Sequence, residues 1–512
     1  MTTDITPAPS SLARPEPAPS PGAASAPPTG RRRTSVRPLV LRLHFYAGIL
    51  VAPLLVVACV TGLLYTTMPQ VEGIVHRKEL HVDRPAGAQP IALIDQVRAA
   101  RAAHPEGTIS SVRPSPRPDR TTRVVLDAPG TKEGYQRTVF VDPYTGRVQG
   151  ELETFGEWLP VRAWFDDLHR NLHLGETGRL YSETAASWLW VVVLGGVWLL
   201  VGRRRAERRR ATTRGDAPAG GSTTPAGRWS RAARAERRAA RPASGRLRTM
   251  RRHRIVGGVA AVGLLALSAT GLTWSKYTGE HVSDVRERLS WQTPSVDAGA
   301  PAGGEHAHHG GATPAPGAPG GDHELQRVSA IDDAVRVANG AGLVAPLAVT
   351  PPAADGGRWQ VQEARRSWPV RQDAVAVNPT GTQVTDVSRF DDWPIGAKLT
   401  TWGISLHMGL LFGIANQLVL AGLAIALLVL IVLGYRMWWQ RRPKQGPRLR
   451  AGKPMPRGAW RHLPWPALVP VVLVTAAVGW FVPLLGITLV AFLVLDVAIG
   501  LLRRLRTPSP AR

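Results

Sequence analysis

Hydrophobic residues are gathered into six long runs, each close to the roughly 20 apolar residues that a helix needs to cross a bilayer core. They predict membrane helices over 41–68, 181–202, 253–275 and 401–440, then a helical hairpin over 465–503 whose arms meet at Pro483. Residues 1–40 are rich in Pro, Ala and Ser and read as a disordered tail. Residues 203–252 and 441–464 read as basic loops, and 504–512 as a short tail. The long segments 69–180 and 276–400 carry folded patterns instead. In the first, a helical stretch over 91–104 precedes strand-like runs over 123–126 and 137–141, closed by the turn Asp142-Pro143-Tyr144-Thr145-Gly146. The second repeats the order, with a helix over 331–338, strands over 359–361 and 373–377, and the turn Asn378-Pro379-Thr380-Gly381. Each is expected to be a small α+β domain. Residues 292–322, rich in Gly, Ala, Pro and His, read as a flexible insertion in the second.

The apolar runs also repeat one another. Residues 42–63 and 251–272 align without a gap, so that Arg42 faces Arg251, His44 faces His253, Gly48 faces Gly257 and Thr61-Gly62-Leu63 faces Thr270-Gly271-Leu272. Leu172-His173-Leu174-Gly175 and Leu406-His407-Met408-Gly409 form a second matched pair. The expected core is therefore two parallel repeats about an axis along the membrane normal. Such an axis brings matched histidines to one level, where two imidazoles could take the two faces of one haem iron.

Charge and cysteine content narrow the field. The net charge of +26 raises nucleic-acid binding as a possibility. The arginines, however, flank apolar helices: 202–254 holds 18 Arg against 3 acidic residues. That is the positive-inside pattern, which predicts cytoplasmic termini and no nucleic-acid partner. Cys59 is the sole cysteine, so no intramolecular disulfide, zinc ribbon or CxxC pair can form. P-loop, dinucleotide and nucleophile-elbow motifs are absent. Many of the 17 Trp lie near helix ends, as an interfacial aromatic belt.

The hairpin Val139-Phe140-Val141-Asp142-Pro143-Tyr144-Thr145-Gly146 resembles that of a PepSY domain. Arg42-Leu43-His44 with Gly48, and Asp167-Leu168-His169-Arg170-Asn171-Leu172-His173-Leu174-Gly175, resemble the PepSY-associated transmembrane proteins. The resemblance covers roughly 40–205 and 250–440. It implies a multi-pass protein of the bacterial inner membrane. The fold class is then mainly α: a duplicated four-helix core, a C-terminal hairpin and two small extracytoplasmic α+β PepSY-like domains. Siderophore-reducing members of the family bind two b-type haems through core histidines. One departure stands out, since the second copy has Gly403 where the first has His169.

These readings give a set of candidates. His44 and His253 form an expected haem pair near the cytoplasm, and His173 and His407 a pair near the outside. His169, one helical turn before His173, either ligates, bonds a propionate or only caps the surface. Arg170 and Arg179 could meet propionates but read first as solvated surface residues. His306, His308 and His309 in the insertion could collect a metal. Asp496 reads as an interfacial carboxylate near Arg503. The expected function is transmembrane electron transfer through two haems b to an external acceptor such as a ferric siderophore. A quinol or cytoplasmic reductase would be the donor. The alternative is a non-enzymatic membrane protein that binds a peptide, protein or metal outside and acts as sensor, regulator or transport accessory.

Overall fold

The computed structural model describes residues 36–215, 245–298, 321–353, 357–441 and 464–506. The first apolar run splits at Val51 into α1 (Arg37–Leu50) and α2 (Ala52–Tyr65), bent by 57°. Pro53 explains the break. It has no N–H to give the Ile49 carbonyl, and its ring crowds that oxygen. The Tyr435 hydroxyl donates to the Ile49 oxygen at 2.9 Å instead, which keeps the freed carbonyl satisfied inside an apolar layer.

The chain continues through α3 (Met68–Val75), α4 (Arg77–Leu80), α5 (Leu93–Ala103), β1 (Thr108–Arg113), β2 (Thr122–Asp127), β3 (Gln136–Val141) and β4 (Val148–Thr154). It returns by α6 (Pro160–Asn171) into the long α7 (Gly175–Gly215). The second half runs α8 (Gly245–Leu272), α9 (Tyr277–Arg288), α10 (Gly321–Arg327), α11 (Ile331–Gly340), β5 (Leu347–Thr350), β6 (Trp359–Glu363), β7 (Ala374–Val377) and β8 (Val384–Ser388). It closes with α12 (Ile395–His407), α13 (Gly413–Trp439), α14 (Trp465–Phe481) and α15 (Pro483–Arg506).

Among the described residues α7, α8, α13 and α15 can cross a membrane by length and composition, and the bent α1–α2 pair passes the same test when its two helices are taken together, as a broken span or a re-entrant loop. Of the six expected spans, the arm α14 is shorter, at 17 residues. These helices pack on one another about Leu55, Trp188, Leu189, Leu264 and Leu427. Their outer faces remain apolar: Val259 is 83% exposed and Val262 80%. An apolar surface of this extent is satisfied by lipid, not by water.

The hairpin α14–α15 is fastened to the bundle at three places. The Trp188 indole donates to Thr488 Oγ1 at 2.8 Å. His281 donates to the Phe481 carbonyl at 2.9 Å and stacks on Trp480 with ring centroids 5.0 Å apart. Arg42 of α1 meets Asp496 of α15 at 2.6 Å. The carboxylate expected to lie near Arg503 therefore has a cationic partner on another helix. Such pairing is what a charge within apolar helices requires. Between the two arms, Gly479 and Gly486 let the backbones touch, since a Cβ on Gly479 would lie 3.1 Å from the Gly486 Cα.

The two outer segments were expected as two separate domains, and here the structure differs. Their strands form one eight-stranded antiparallel sheet in the order β4-β3-β2-β1-β5-β6-β7-β8. The joint is β1 with β5, Val112 opposite Val349. One core runs through both halves, with Val97, Val124, Val139, Val349, Trp359 and Val375 packed together. Polar contacts cross the joint as well. Asp332 at the start of α11 accepts the Leu93 and Ile94 amides at 2.7 and 2.9 Å, capping α5 from the other half. A four-stranded half alone would expose an edge strand and half of this core, so mutual burial is the stable arrangement. The predicted turns match their motifs. Asp142 accepts the Tyr144 amide at 2.8 Å, and Asn378 accepts the Thr382 amide at 2.8 Å. Gly146 and Gly381 take the left-handed conformations (φ 70° and 72°) that glycine favours.

Candidate functional site

The chain path puts the sheet at one end of the bundle and the arginine-rich ends of α7 and α8 at the other. A histidine pair lies toward each end. At the arginine end, His44 of α1 and His253 of α8 face one another with ring centroids 6.3 Å apart and planes at 75°. The His44 Nδ1 donates to the Val192 carbonyl at 2.8 Å. The backbone of Leu430 lies close to His253, yet its Nδ1 is buried without a hydrogen bond of ordinary geometry. The approach of α1 to α7 depends on Gly195 and Gly196, because a Cβ on Gly196 would sit 3.1 Å from His44 Cε1. Sequence reading did not single out these glycines, although the doublet Gly195-Gly196 was visible as a gap in a Trp- and Val-rich helix.

At the sheet end the structure brings His169, not His173, to His407. Both His169 and His407 line a mostly apolar cavity of about 240 Å³, with Gly62, Gly271, Trp274 and Met408 among its walls. His169 Nδ1 is hydrogen-bonded to Thr61 Oγ1 at 2.8 Å, and His407 Nδ1 to Thr270 Oγ1 at 2.7 Å. The neighbouring glycines make room, a Cβ on Gly62 lying 3.1 Å from His169 Cε1 and one on Gly271 3.7 Å from His407 Cε1. Burial pushes both imidazoles down to about 4, His407 also feeling His169. Both are therefore neutral near pH 7, with a ring lone pair available.

His173 lies elsewhere. Helix α6 ends at Asn171, and Leu172 and His173 both turn left-handed, with φ 57° and 54°. That turn carries the His173 ring outward, 2.7 Å from Asp167 and against Trp164 with centroids 4.7 Å apart. The structural match to His407 is thus His169, one turn away from the Leu-His-x-Gly alignment. Arg170 and Arg179, expected at the surface, line the cavity, and Arg179 Nε is buried without a hydrogen-bond partner. His306, His308 and His309 lie outside the described residues.

Two features hold the sheet-end helices in place. Glu183 of α7 accepts the amides of Lys276, Tyr277 and Thr278 and so caps α9. Glu72 of α3 accepts the Arg162 amide at 3.1 Å, which anchors the first turn of α6. Arg162 in turn donates to the Tyr65 hydroxyl at 3.0 Å. Burial lifts Glu72 to about 7 despite the attraction of Arg162. A carboxyl raised in the folded state stabilises fully below its ordinary 4.5, and that stability is lost as pH climbs through about 7. The melting temperature of the detergent-solubilised parent is therefore expected to fall relative to that of Glu72→Gln as pH rises from about 5 to 7, because the other titrating groups are common to both proteins. A difference between the two that stays constant across that range would remove Glu72 as a pH-sensitive group.

Among the described residues no group of three or more His, Cys, Asp or Glu is gathered for a bare metal ion. Two imidazoles fall short of the four ligands that a structural metal usually takes. They match what a porphyrin leaves to the protein, whose iron keeps two axial positions. The first pair brings two imidazoles from different helices to 6.3 Å between ring centroids, and these are the residues that would hold such a group there. At the second pair the apolar cavity and the glycine walls fit a flat apolar group, and Arg170 and Arg179 fit its acidic substituents.

The sequence model for the PepSY-associated TM region matches residues 41–441. No curated protein matches the chain. Both histidine pairs and the sheet fall inside the matched stretch, while the hairpin α14–α15 falls outside it. With more than half of its length in that single match, the chain belongs to the PepSY-associated TM family of multi-pass membrane proteins.

Proposed function

We propose that the protein carries electrons across a bacterial inner membrane through two b-type haems and delivers them to an external acceptor such as a ferric siderophore. His44 and His253 hold the group nearer the cytoplasm, and His169 and His407 the group nearer the outside. The observation that carries this reading is a pair of half-buried imidazoles, on different helices, toward each end of one bundle, with glycines against the rings of His44, His169 and His407 and a cavity beside the sheet-end pair. Haem, when bound, supplies the one-electron chemistry. The chain's own part is to orient four rings and exclude water.

Orientation follows from charge. Arg203–Arg209 and Arg246–Arg254 crowd one end, so that end is cytoplasmic by the positive-inside rule and the sheet is external. A quinol or a separate cytoplasmic reductase is the donor, because the chain has no flavin or nicotinamide motif. Between His44 and Thr61 the helix path is about 25 Å at ~1.5 Å per residue, and the bend at Val51 shortens it. The duplicated core thus holds two sites at different depths of one bundle.

The test is a reduced-minus-oxidised visible spectrum of purified protein from haem-sufficient cells, with pyridine haemochrome quantification. About two b haems per chain are expected. A colourless protein would sink the proposal and leave a sensor or transport-accessory role for the outer sheet.

A further inference from the structure

The triplets Thr61-Gly62-Leu63 and Thr270-Gly271-Leu272 match across the repeat, and their glycines make room for histidine rings. The threonines remain to be explained. Each hydroxyl oxygen has several close neighbours. Thr61 Oγ1 lies 2.9 Å from the Val57 carbonyl, 3.2 Å from the Ala58 carbonyl and 2.8 Å from His169 Nδ1. Thr270 Oγ1 lies 2.8 Å from the Ala266 carbonyl, 3.2 Å from the Leu267 carbonyl and 2.7 Å from His407 Nδ1.

A hydroxyl has one proton and a carbonyl has none. Two oxygens below 3 Å need a hydrogen between them, so the threonine proton is committed to its own helix. The ring nitrogen must then supply the hydrogen of the second contact. We infer that Thr61 and Thr270 fix His169 and His407 as the Nδ1–H tautomer, leaving each Nε2 as the free ligand atom of the cavity. The same bookkeeping holds at the other end, where the Val192 carbonyl can only accept and His44 Nδ1 must donate. In both halves a threonine a helix-length beyond the inner histidine sets the outer one. Thr61 and Thr270 are positioning residues, since they act through the imidazoles.

The tautomer stands on the hydrogen bonds alone, while its use for haem ligation rests on the proposed function, and the experiment separates the two. Full-length protein carrying ¹⁵N-histidine is kept reduced, so that any low-spin ferrous iron is diamagnetic, and the His169 signals are assigned by their loss in His169→Gln. The parent is expected to show protonated Nδ1 and unprotonated Nε2. Thr61→Val is expected to abolish that preference at His169 and to weaken haem retention at the outer site by about tenfold or more. Thr61→Ser, which keeps the hydroxyl, is expected to preserve both. A parent His169 with Nε2–H, or an unchanged His169 tautomer in Thr61→Val, would overturn the inference. Retention unchanged despite the lost tautomer would overturn the positioning role. A haem-free parent showing the expected tautomer would count against the proposed function alone.

Discussion

His169→Gln protein is expected to hold about one haem per chain where its parent holds about two, whereas His173→Gln is expected to hold both. The sequence alone favours the opposite result, because His173 and His407 share the Leu-His-x-Gly frame. The structure separates the two by the end of α6. His169 precedes the cap and lies over Gly62 with its Nδ1 on Thr61. His173 follows two left-handed residues and is turned to Asp167 and Trp164 at the surface. His407 has no such turn before it, for α12 stays helical through that residue. Glutamine keeps the size and a hydrogen-bonding end, so comparable melting of both variants would show that the loss is of a ligand. Loss of a haem from His173→Gln with retention in His169→Gln would reverse the assignment of the outer pair.

That misregister shows what the sequence could and could not carry. Most of the apolar runs and the turn motifs at Asp142 and Asn378 are written in local residue types and are found where the pattern put them, and His44 lies against His253. The joining of two outer segments into one sheet is not local. It depends on β1 meeting β5 across more than two hundred residues, and the polar run Thr108–Arg113 gives little sign of a central strand. The run 41–68 was expected as one helix, so both the bend that Pro53 imposes at Val51 and the Tyr435 donor that makes it tolerable come from the structure. The thread from Thr61 to His169 was half legible: the triplet repeat marked the position, and only the fold brings α6 beside α2. Asp496 was read against its local neighbour Arg503, because its partner Arg42 stands at the far end of the chain.

Gly178→Ala is expected to remove the outer haem and lower stability, though residue 178 touches neither histidine. Helix α7 starts just after the turn that ends α6, and Gly178 lies against the backbone of Asn171. A Cβ there would overlap the Asn171 carbonyl oxygen and carbon. The obstructing atoms are backbone, so no rotamer change relieves the clash. The corner has little slack: the Asn171 carbonyl accepts the Leu174 amide at 2.9 Å, and its side chain bridges Asp167 at 2.6 Å and the His173 amide at 3.0 Å. Alanine must therefore push α6 away from α7, and His169, two residues before Asn171, moves with it. Overpacking of a tight site costs about 1–3 kcal/mol, and a rigid obstacle puts this case toward the upper end. Gly434→Ala is the control, since a Cβ there meets nothing within 4 Å and the residue lies inside a regular helix. It should keep about two haems and melt no lower than the parent, because alanine is the better helix former by about 1 kcal/mol. Haemochrome quantification and thermal unfolding of the two variants read both effects. If Gly178→Ala keeps its full haem complement, the α6–α7 corner does not set the position of His169.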